Sequence, residues 1–348
     1  MVRLICVFVF VSIQLTAFGQ KINGLSISGP STPDLSIAHF ENLKSANANW
    51  IGIVPERLVY RETLGFRPDS LNEHWSETIE ATIESIKIAR QTGLKIFIKP
   101  HIVLEKKSRK RDKTKGADWR GDIKCSSEED WRYFESNYEA YVLELAKICE
   151  TYDVELFGIG TELKKFIVHR PQFWNALIQK VRAEYSGKIT YCANWDEYEQ
   201  VPFWEQLDFV GVDMYFPISK TQTPSISKTK KKWQPIVKKL ETFSKQKKKK
   251  LLFTEFGYRN VAFSGQRPWT HDIGDDFVID FRAQYNLYEA IFASFWDESW
   301  VAGGFAWKWF TTAKSGKDTS FSVQGKPAFQ VLKKWFGQYP DPVSFSSE

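Results

Sequence analysis

The feature that most constrains the fold of this chain is a regular alternation of short apolar runs with longer amphipathic stretches. Alternation of this kind is typical of a parallel sheet whose strands are joined by helices. Eight apolar runs are predicted as strands: 22–28, 49–54, 94–99, 154–160, 188–194, 209–215, 251–254 and 303–307. Six amphipathic stretches are predicted as helices: 73–91, 128–150, 172–184, 201–206, 230–245 and 282–295. The chain is therefore predicted to be an α/β protein.

The number of strands selects one α/β architecture. Eight parallel strands close a (β/α)8 barrel, the TIM barrel, which needs about 250 residues plus loop insertions. A doubly wound open sheet is the alternative, but no GxGxxG motif follows the first strand. No linker rich in Pro, Gly or Ser and no internal repeat divides the chain, so residues 20–348 are predicted to form a single domain.

The first 19 residues have the pattern of a signal peptide. Arg3 precedes an apolar run over residues 4–11, and Ala17, Phe18 and Gly19 fit the small-x-small cleavage rule. We therefore expect export, to the periplasm or the medium, after cleavage near Gly19. No later window offers about 18 uncharged apolar residues, so no membrane span is predicted in the mature chain.

The positive charge of the chain is local. The formal net charge is +6, but residues 105–115 carry +5 and residues 228–250 carry +10, so the rest of the mature chain is acidic. This distribution argues against a nucleic-acid-binding face. The lysines of 228–250 are predicted to lie on the outer helical layer of the barrel. The 14 Trp, 13 Tyr and 27 Phe instead suggest flat apolar surfaces offered to a ligand.

The spacing of the Cys and His residues does not match a metal-binding motif. Cys125, Cys149 and Cys192 remain after the leader, and no CxxC, HxH or HExxH spacing occurs. No metal and no cofactor is therefore predicted. A bridge between Cys125 and Cys149 is left open, whereas Cys192 lies in an apolar strand and is predicted to be a buried thiol.

Two predicted strands end on a carboxylate. The fourth continues into Thr161 and Glu162, and the seventh into Glu255 directly after Thr254. Active sites of such barrels lie at the carboxyl ends of the strands. One strand-end glutamate alone would fit an ordinary salt bridge, but two of them at strands four and seven can form an acid and a nucleophile across the barrel mouth.

Several motifs around these glutamates resemble glycoside hydrolase family 113, and the resemblance covers most of the mature chain. The motifs are WRG at 119–121, IGTEL at 159–163, YCANW at 191–195, FVGVDMYF at 209–216 and TEFGY at 254–258. The family is a group of retaining β-mannanases with a (β/α)8 barrel. The resemblance implies that Glu162 is the general acid/base and Glu255 the nucleophile. Thr161 departs from the Asn that many related barrels carry there, so the usual Asn contact to the sugar 2-hydroxyl must be absent or supplied elsewhere.

Three residues at other strand ends are predicted to support the glutamates. Tyr215 is expected to orient Glu255 through its hydroxyl; packing on Phe216 is the alternative. His101 is expected to contact a sugar hydroxyl, or else to be a structurally satisfied histidine. Trp307 is expected in the substrate site, although core packing applies to either it or Trp309.

Four loop residues are predicted to bind sugar. Trp119 and Arg120 offer an indole and a planar guanidinium, with a loop-anchoring stack as the alternative. Asn194 and Trp195 offer a hydroxyl contact and a stacking platform, with helix-entry capping as the alternative.

The prediction as a whole is a secreted, monomeric retaining β-glycoside hydrolase, an endo-β-1,4-mannanase acting on mannan-type polysaccharide. A β-glycosidase with another sugar or an exo mode is the alternative within enzymes. A carbohydrate-binding barrel without catalysis is the alternative outside them. A Ser-His-Asp hydrolase is disfavoured because no GxSxG motif occurs.

Overall fold

The computed structural model describes residues 20–27, 35–72, 74–105, 119–270, 276–311 and 318–339. The predicted leader and residues 106–115 of the first basic segment lie outside these ranges. Ten strands are found there: β1 Ile22–Ile27, β2 Trp50–Ile53, β3 Glu56–Val59, β4 Lys95–Ile98, β5 His101–Leu104, β6 Leu156–Thr161, β7 Lys188–Asn194, β8 Val210–Asp213, β9 Leu251–Phe256 and β10 Val301–Trp309.

Eight of these strands form a closed parallel barrel. Its order is β1-β10-β9-β8-β7-β6-β4-β2, so every strand pairs with its neighbours along the chain and the last pairs with the first. The predicted (β/α)8 barrel is confirmed, and the open-sheet alternative is wrong. All eight predicted runs coincide with barrel strands, with ends shifted by a few residues.

The two remaining strands, β3 and β5, form a small parallel sheet that the sequence analysis did not predict. They follow β2 and β4 after Pro55 and Pro100, respectively. Proline has no backbone N–H to donate to a ladder. The barrel ladder is interrupted at these two prolines and resumes as a separate sheet beside the barrel mouth, where it brings His101 opposite Glu56.

Helices cover the outside of the barrel. They are α1 Ile37–Lys44, α2 Ile79–Gln91, α3 Glu128–Thr151, α4 Lys164–His169, α5 Pro171–Glu184, α6 Ile226–Lys247, α7 Phe281–Phe295 and α8 Ala328–Gly337. Two predicted helices need correction. In the stretch 73–91, Trp75–Glu77 form a separate 3-10 turn, and the α-helix begins only at Ile79, after Thr78, whose side chain caps it by accepting from the Ala81 N–H. The stretch 201–206 is only a 3-10 turn over Trp204–Gln206.

The second basic segment forms most of α6, whose lysines are largely exposed on the outer layer. Lys239 pairs with Glu199 and Lys247 with Glu205, at 2.5 and 2.7 Å. The segment is thus a solvated helix face.

Aromatic side chains fill the barrel interior. Phe305 contacts Trp50 and Phe97, with ring centroids 6.2 and 4.8 Å away. Gly24 leaves room for this ring, since a Cβ there would lie 2.2 Å from Phe305 Cδ1. A larger core lies between strands and helices. This packing fixes the strand ends that carry the site.

The three cysteines that follow the leader are buried free thiols, so no bridge joins Cys125 and Cys149, and the prediction for Cys192 is confirmed.

In the described part of the chain, no helix combines the length and the apolar character that crossing a bilayer requires.

Candidate active site

A cleft of about 610 Å³ opens at the carboxyl ends of the barrel strands. This volume is within the usual range for ligand sites. All nine residues predicted for the site line it: His101, Trp119, Arg120, Glu162, Asn194, Trp195, Tyr215, Glu255 and Trp307. The cleft therefore brings together residues that are more than 200 positions apart in the chain.

Glu162 follows β6 in an unusual backbone conformation. Its φ is 54°, in the left-handed region that costs energy for a residue with a side chain. The conformation is held from β7, because the Glu162 N–H donates to Cys192 O at 2.9 Å and the Leu163 N–H donates to the Tyr191 hydroxyl at 2.6 Å. Strain of this kind, maintained by neighbouring hydrogen bonds, is typical of functional sites.

The Glu162 carboxyl group contacts Arg120, whose Nη2 donates to Oε2 at 2.7 Å. Arg120 is held in a loop where Trp119 folds over Gly121; a Cβ on Gly121 would lie 2.1 Å from the indole. Burial raises the pKa of Glu162, and the negative charge of Glu255 raises it further, while Arg120 opposes both effects. Glu162 therefore holds its proton more strongly than an ordinary glutamate.

Glu255, on β9, has different neighbours. Lys99 Nζ donates to Oε1 at 2.5 Å, and the Tyr215 hydroxyl donates to Oε2 at 2.7 Å. His101 Nε2 lies 3.4 Å from Oε1. Burial alone would raise the pKa of Glu255, but the Lys99 ammonium holds it well below the usual range. Glu255 is therefore ionised.

Lys99 is fully buried and also contacts Asp213, with Nζ 3.0 and 3.1 Å from the two carboxylate oxygens. The Thr254 hydroxyl donates to Asp213 Oδ1 at 2.7 Å. Burial raises the pKa of Asp213 to about 8, against the opposing charge of Lys99. Because Asp213 ionises less readily than Glu255, Glu255 is the carboxylate that Lys99 neutralises.

Lys99 and Asp213 were missed by the sequence analysis. A signal was present, because each is a charged residue at the end of an apolar run, as Glu162 and Glu255 are. Lys99 precedes Pro100, and Asp213 lies within a motif that we used only for the resemblance.

His101 packs against Trp307, with stacked rings whose centroids are 5.9 Å apart. Burial lowers the pKa of His101 to about 3, so the imidazole is neutral. Among the described residues its Nε2 has no hydrogen-bond partner of good geometry. Trp309, by contrast, is buried against Phe329 in the core.

Aromatic residues form one side of the cleft. Trp195 stacks on Trp269, with centroids 5.6 Å apart and planes 24° from parallel, and Trp269 is 40% exposed. Asn194 Oδ1 accepts from the Trp195 N–H at 2.8 Å, which fixes the start of this loop. Trp269 was not predicted, since it lies in a long irregular loop after β9.

The side chain of Thr161 is used within the fold, where its hydroxyl donates to Pro100 O at 2.9 Å. It therefore does not take the place of the Asn found in related barrels. Within the described ranges, no group of three or more His, Cys, Asp or Glu side chains is arranged to hold a metal ion.

Replacement of Lys99 tests the electrostatics of this cleft. In Lys99→Met, burial is no longer opposed by the ammonium, so the pKa of Glu255 should rise above about 4.3, the ordinary value for glutamate. The resemblance predicts that Glu255 acts as a carboxylate, so the acid limb of the kcat/KM profile of this variant should move to higher pH, whereas wild-type activity should persist to lower pH.

The matched control is Asp213→Asn, which keeps Lys99 beside Glu255 and should not move the acid limb upward. Removing one partner of a buried ion pair costs about 3 to 5 kcal/mol, so unfolding midpoints should be measured for both variants. If folded Lys99→Met kept the wild-type acid limb, this would contradict the conclusion that Lys99 lowers the pKa of Glu255.

A closed (β/α)8 barrel with two buried glutamates whose pKa values are shifted in opposite directions in one cleft has the architecture of a glycoside hydrolase. The family model described as Glycoside Hydrolase Family 113 matches residues 29–326. The chain therefore belongs to Glycoside Hydrolase Family 113 and is a glycoside hydrolase.

Solved structures agree with this assignment. The β-mannanase AaManA of Alicyclobacillus acidocaldarius, solved in complex with ManMIm, is 25% identical with a TM-score of 0.79, over 93% of this chain and 100% of that one. A further family 113 β-1,4-mannanase is 23% identical with a TM-score of 0.76, over 92% and 99%.

A β-glucuronidase of Faecalibacterium prausnitzii shares the fold at 13% identity and a TM-score of 0.62. The match covers 92% of this chain and 49% of the β-glucuronidase chain. A search of curated proteins found no match.

Proposed function

We propose that this protein is a retaining endo-β-1,4-mannanase in which Glu255 is the nucleophile and Glu162 the general acid/base. The observation that carries the proposal is the unequal environment of the two carboxyl groups. Lys99 keeps Glu255 ionised, whereas burial favours the protonated form of Glu162. Two carboxyl groups with separated proton affinities are what double displacement requires.

In the first step, a Glu255 oxygen attacks the anomeric carbon while the glycosidic C–O bond breaks. Glu162 gives its proton to the departing oxygen. The Tyr215 hydroxyl holds Glu255 Oε2 and orients the carboxylate for attack. The product of this step is a glycosyl ester of Glu255, and Glu162 is left as a carboxylate.

In the second step, water attacks the anomeric carbon and the ester bond to Glu255 breaks. Glu162 takes the proton from the water. Esterification has removed the negative charge of Glu255, so the pKa of Glu162 falls and it is available as a base. Arg120, which donates to Glu162 Oε2, stabilises that carboxylate between the two steps.

The substrate class rests on the family and on the neighbour AaManA, which is a β-mannanase. The stacked pair Trp195 and Trp269 offers an aromatic platform beside the glutamates. A platform that remains exposed at the rim suits a long chain that extends beyond the cleaved bond, which supports the endo mode.

Hydrolysis of a polysaccharide panel tests this function. The protein should release oligosaccharides of several sizes from mannan and glucomannan, and much less product from xylan and β-glucan. The first product measured by NMR should carry the β anomer. The matched control is the double variant Glu162→Gln/Glu255→Gln, which should release nothing.

Release of only the terminal sugar would favour the exo alternative, and another preferred polymer would favour a different sugar. Binding of mannan without hydrolysis by the wild type would favour a non-catalytic barrel.

We also propose that residues 1–19 are a removable leader, that residues 20–348 are one catalytic domain, and that the protein acts as a monomer outside the cytoplasm. The leader pattern supports the first point.

A further inference from the structure

A third buried glutamate lies behind the cleft and takes no part in the mechanism above. Glu197 is 1% exposed and is in the turn after β7. Burial raises its pKa well above the usual range, and the negative charge of Glu162 adds to this effect. A carboxyl group that is removed from water in this way is costly to a fold unless it makes a specific contact.

Glu197 makes such a contact with Tyr191. The Tyr191 hydroxyl accepts the Leu163 N–H at 2.6 Å and lies 2.9 Å from Glu197 Oε1. A hydroxyl group has a single proton. Since the Leu163 N–H already occupies a lone pair of the hydroxyl, the tyrosine proton is free to be donated to Glu197 Oε1. The other oxygen, Oε2, has no partner among the described residues.

The Tyr191 ring is fixed independently of these hydrogen bonds. It is fully buried, and its centroid lies 5.5 Å from that of Trp174 and 5.7 Å from that of Phe203. Packing therefore sets where the ring lies, while Glu197 sets where the hydroxyl proton points. With that proton directed to Glu197, the oxygen lone pairs face Leu163.

Leu163 directly follows the strained residue Glu162. Of the two hydrogen bonds that hold this backbone, the one from Glu162 N to Cys192 O joins backbone atoms and needs no particular side chain. The one from Leu163 N depends on Tyr191 and, through it, on Glu197. We propose that Glu197 is a positioning residue that, through Tyr191, maintains the left-handed backbone of Glu162 and so the direction of the Glu162 carboxyl group. This inference rests on the proposed role of Glu162 as general acid/base.

Two substrates separate a positioning role from a general structural one. The value of kcat/KM reports the steps up to the first irreversible one, here the breaking of the glycosidic bond. A polysaccharide needs protonation of its leaving group, whereas an aryl β-mannoside with a leaving group of low pKa, such as 2,4-dinitrophenol, does not. A misdirected Glu162 should therefore slow the first substrate and spare the second.

Glu197→Leu removes the acceptor, and Glu197→Gln keeps a carbonyl oxygen for the Tyr191 hydroxyl. We expect Glu197→Leu to lower kcat/KM on mannan by roughly ten- to a hundredfold, part of the 10² to 10⁴ that general acid catalysis supplies, and on the aryl mannoside by less than about threefold. Glu197→Gln should restore mannan hydrolysis to near the wild-type value. Equal loss on both substrates, or no loss on either, would overturn the inference.

Tyr191→Phe provides a second test if Glu197→Leu does not fold, since it deletes one oxygen atom and leaves the packed ring. It should reproduce the selective loss on mannan; equal effects on both substrates again count against the inference. Glu162→Ala separates failure of the proposed function from failure of the positioning role of Glu197. If Glu162→Ala itself shows no selective loss on mannan, the proposed function fails; if it does and the Glu197 and Tyr191 variants do not, only the positioning role fails.

Discussion

Glu255→Ala should abolish turnover of every glycoside, because all substrates need the nucleophile while only some need the acid. Loss of a covalent catalyst of this type lowers kcat on the order of 10⁵-fold or more. Azide should restore turnover of an aryl β-mannoside with a good leaving group by attack from the emptied side of the sugar. The product should be the α-azide, identified by NMR.

The fold should survive this change, because Lys99 keeps its contact with Asp213 when Glu255 is absent. Glu205→Ala is a suitable control, since this carboxylate pairs with Lys247 on the surface and its loss should leave turnover unchanged. Near wild-type hydrolysis of mannan by Glu255→Ala would eliminate Glu255 as the nucleophile.

Glu162→Ala should give a different kinetic pattern. On mannan it should lose roughly 10² to 10⁴-fold, the usual contribution of general acid/base catalysis. On an activated aryl mannoside the first step should be spared, and the reaction should then stall as the glycosyl ester because no base activates water. A burst of the phenol followed by slow turnover is the expected time course.

Azide needs no base, so it should restore steady turnover of Glu162→Ala and yield the β-azide, since Glu255 still occupies the opposite face. The α-azide from this variant, together with the β-azide from Glu255→Ala, would show that the two roles are exchanged. Arg120→Lys is a useful companion, because it keeps a positive charge near Glu162 but loses the planar guanidinium that now contacts Oε2.

The barrel could be predicted from the sequence because burial in each strand and helix is a local, periodic property. The run 188–194 was predicted with both ends correct. Three elements could not be predicted in this way. β3 and β5 are only partly buried, whereas β2 and β8, which are equally short, are buried along their whole length. The helix α4 has six residues, too few for a helical period to stand out. The helix α8 does carry a clear apolar stripe at Ala328, Val331, Leu332, Trp335 and Phe336, and it was overlooked.

The residues of the cleft were predictable to the extent that they end strands. Four of them lie at or near strand ends: Glu162, Tyr215, Glu255 and Trp307. A parallel barrel brings the carboxyl ends of its strands together at one face. Trp269 was not predictable, because it lies in a loop whose path follows no repeating pattern.

The sequence by itself determined the number of barrel strands and that the fourth and seventh of them lead into Glu162 and Glu255, since alternating apolar and amphipathic runs are a property of neighbouring residues. Only the tertiary structure decided how those carboxylates are charged and held. Lys99 is 114 residues from Asp213 and 156 from Glu255, and Tyr191 is 28 residues from Leu163. Contacts at such separations depend on strand register, twist and side-chain packing, which no local pattern in the chain encodes.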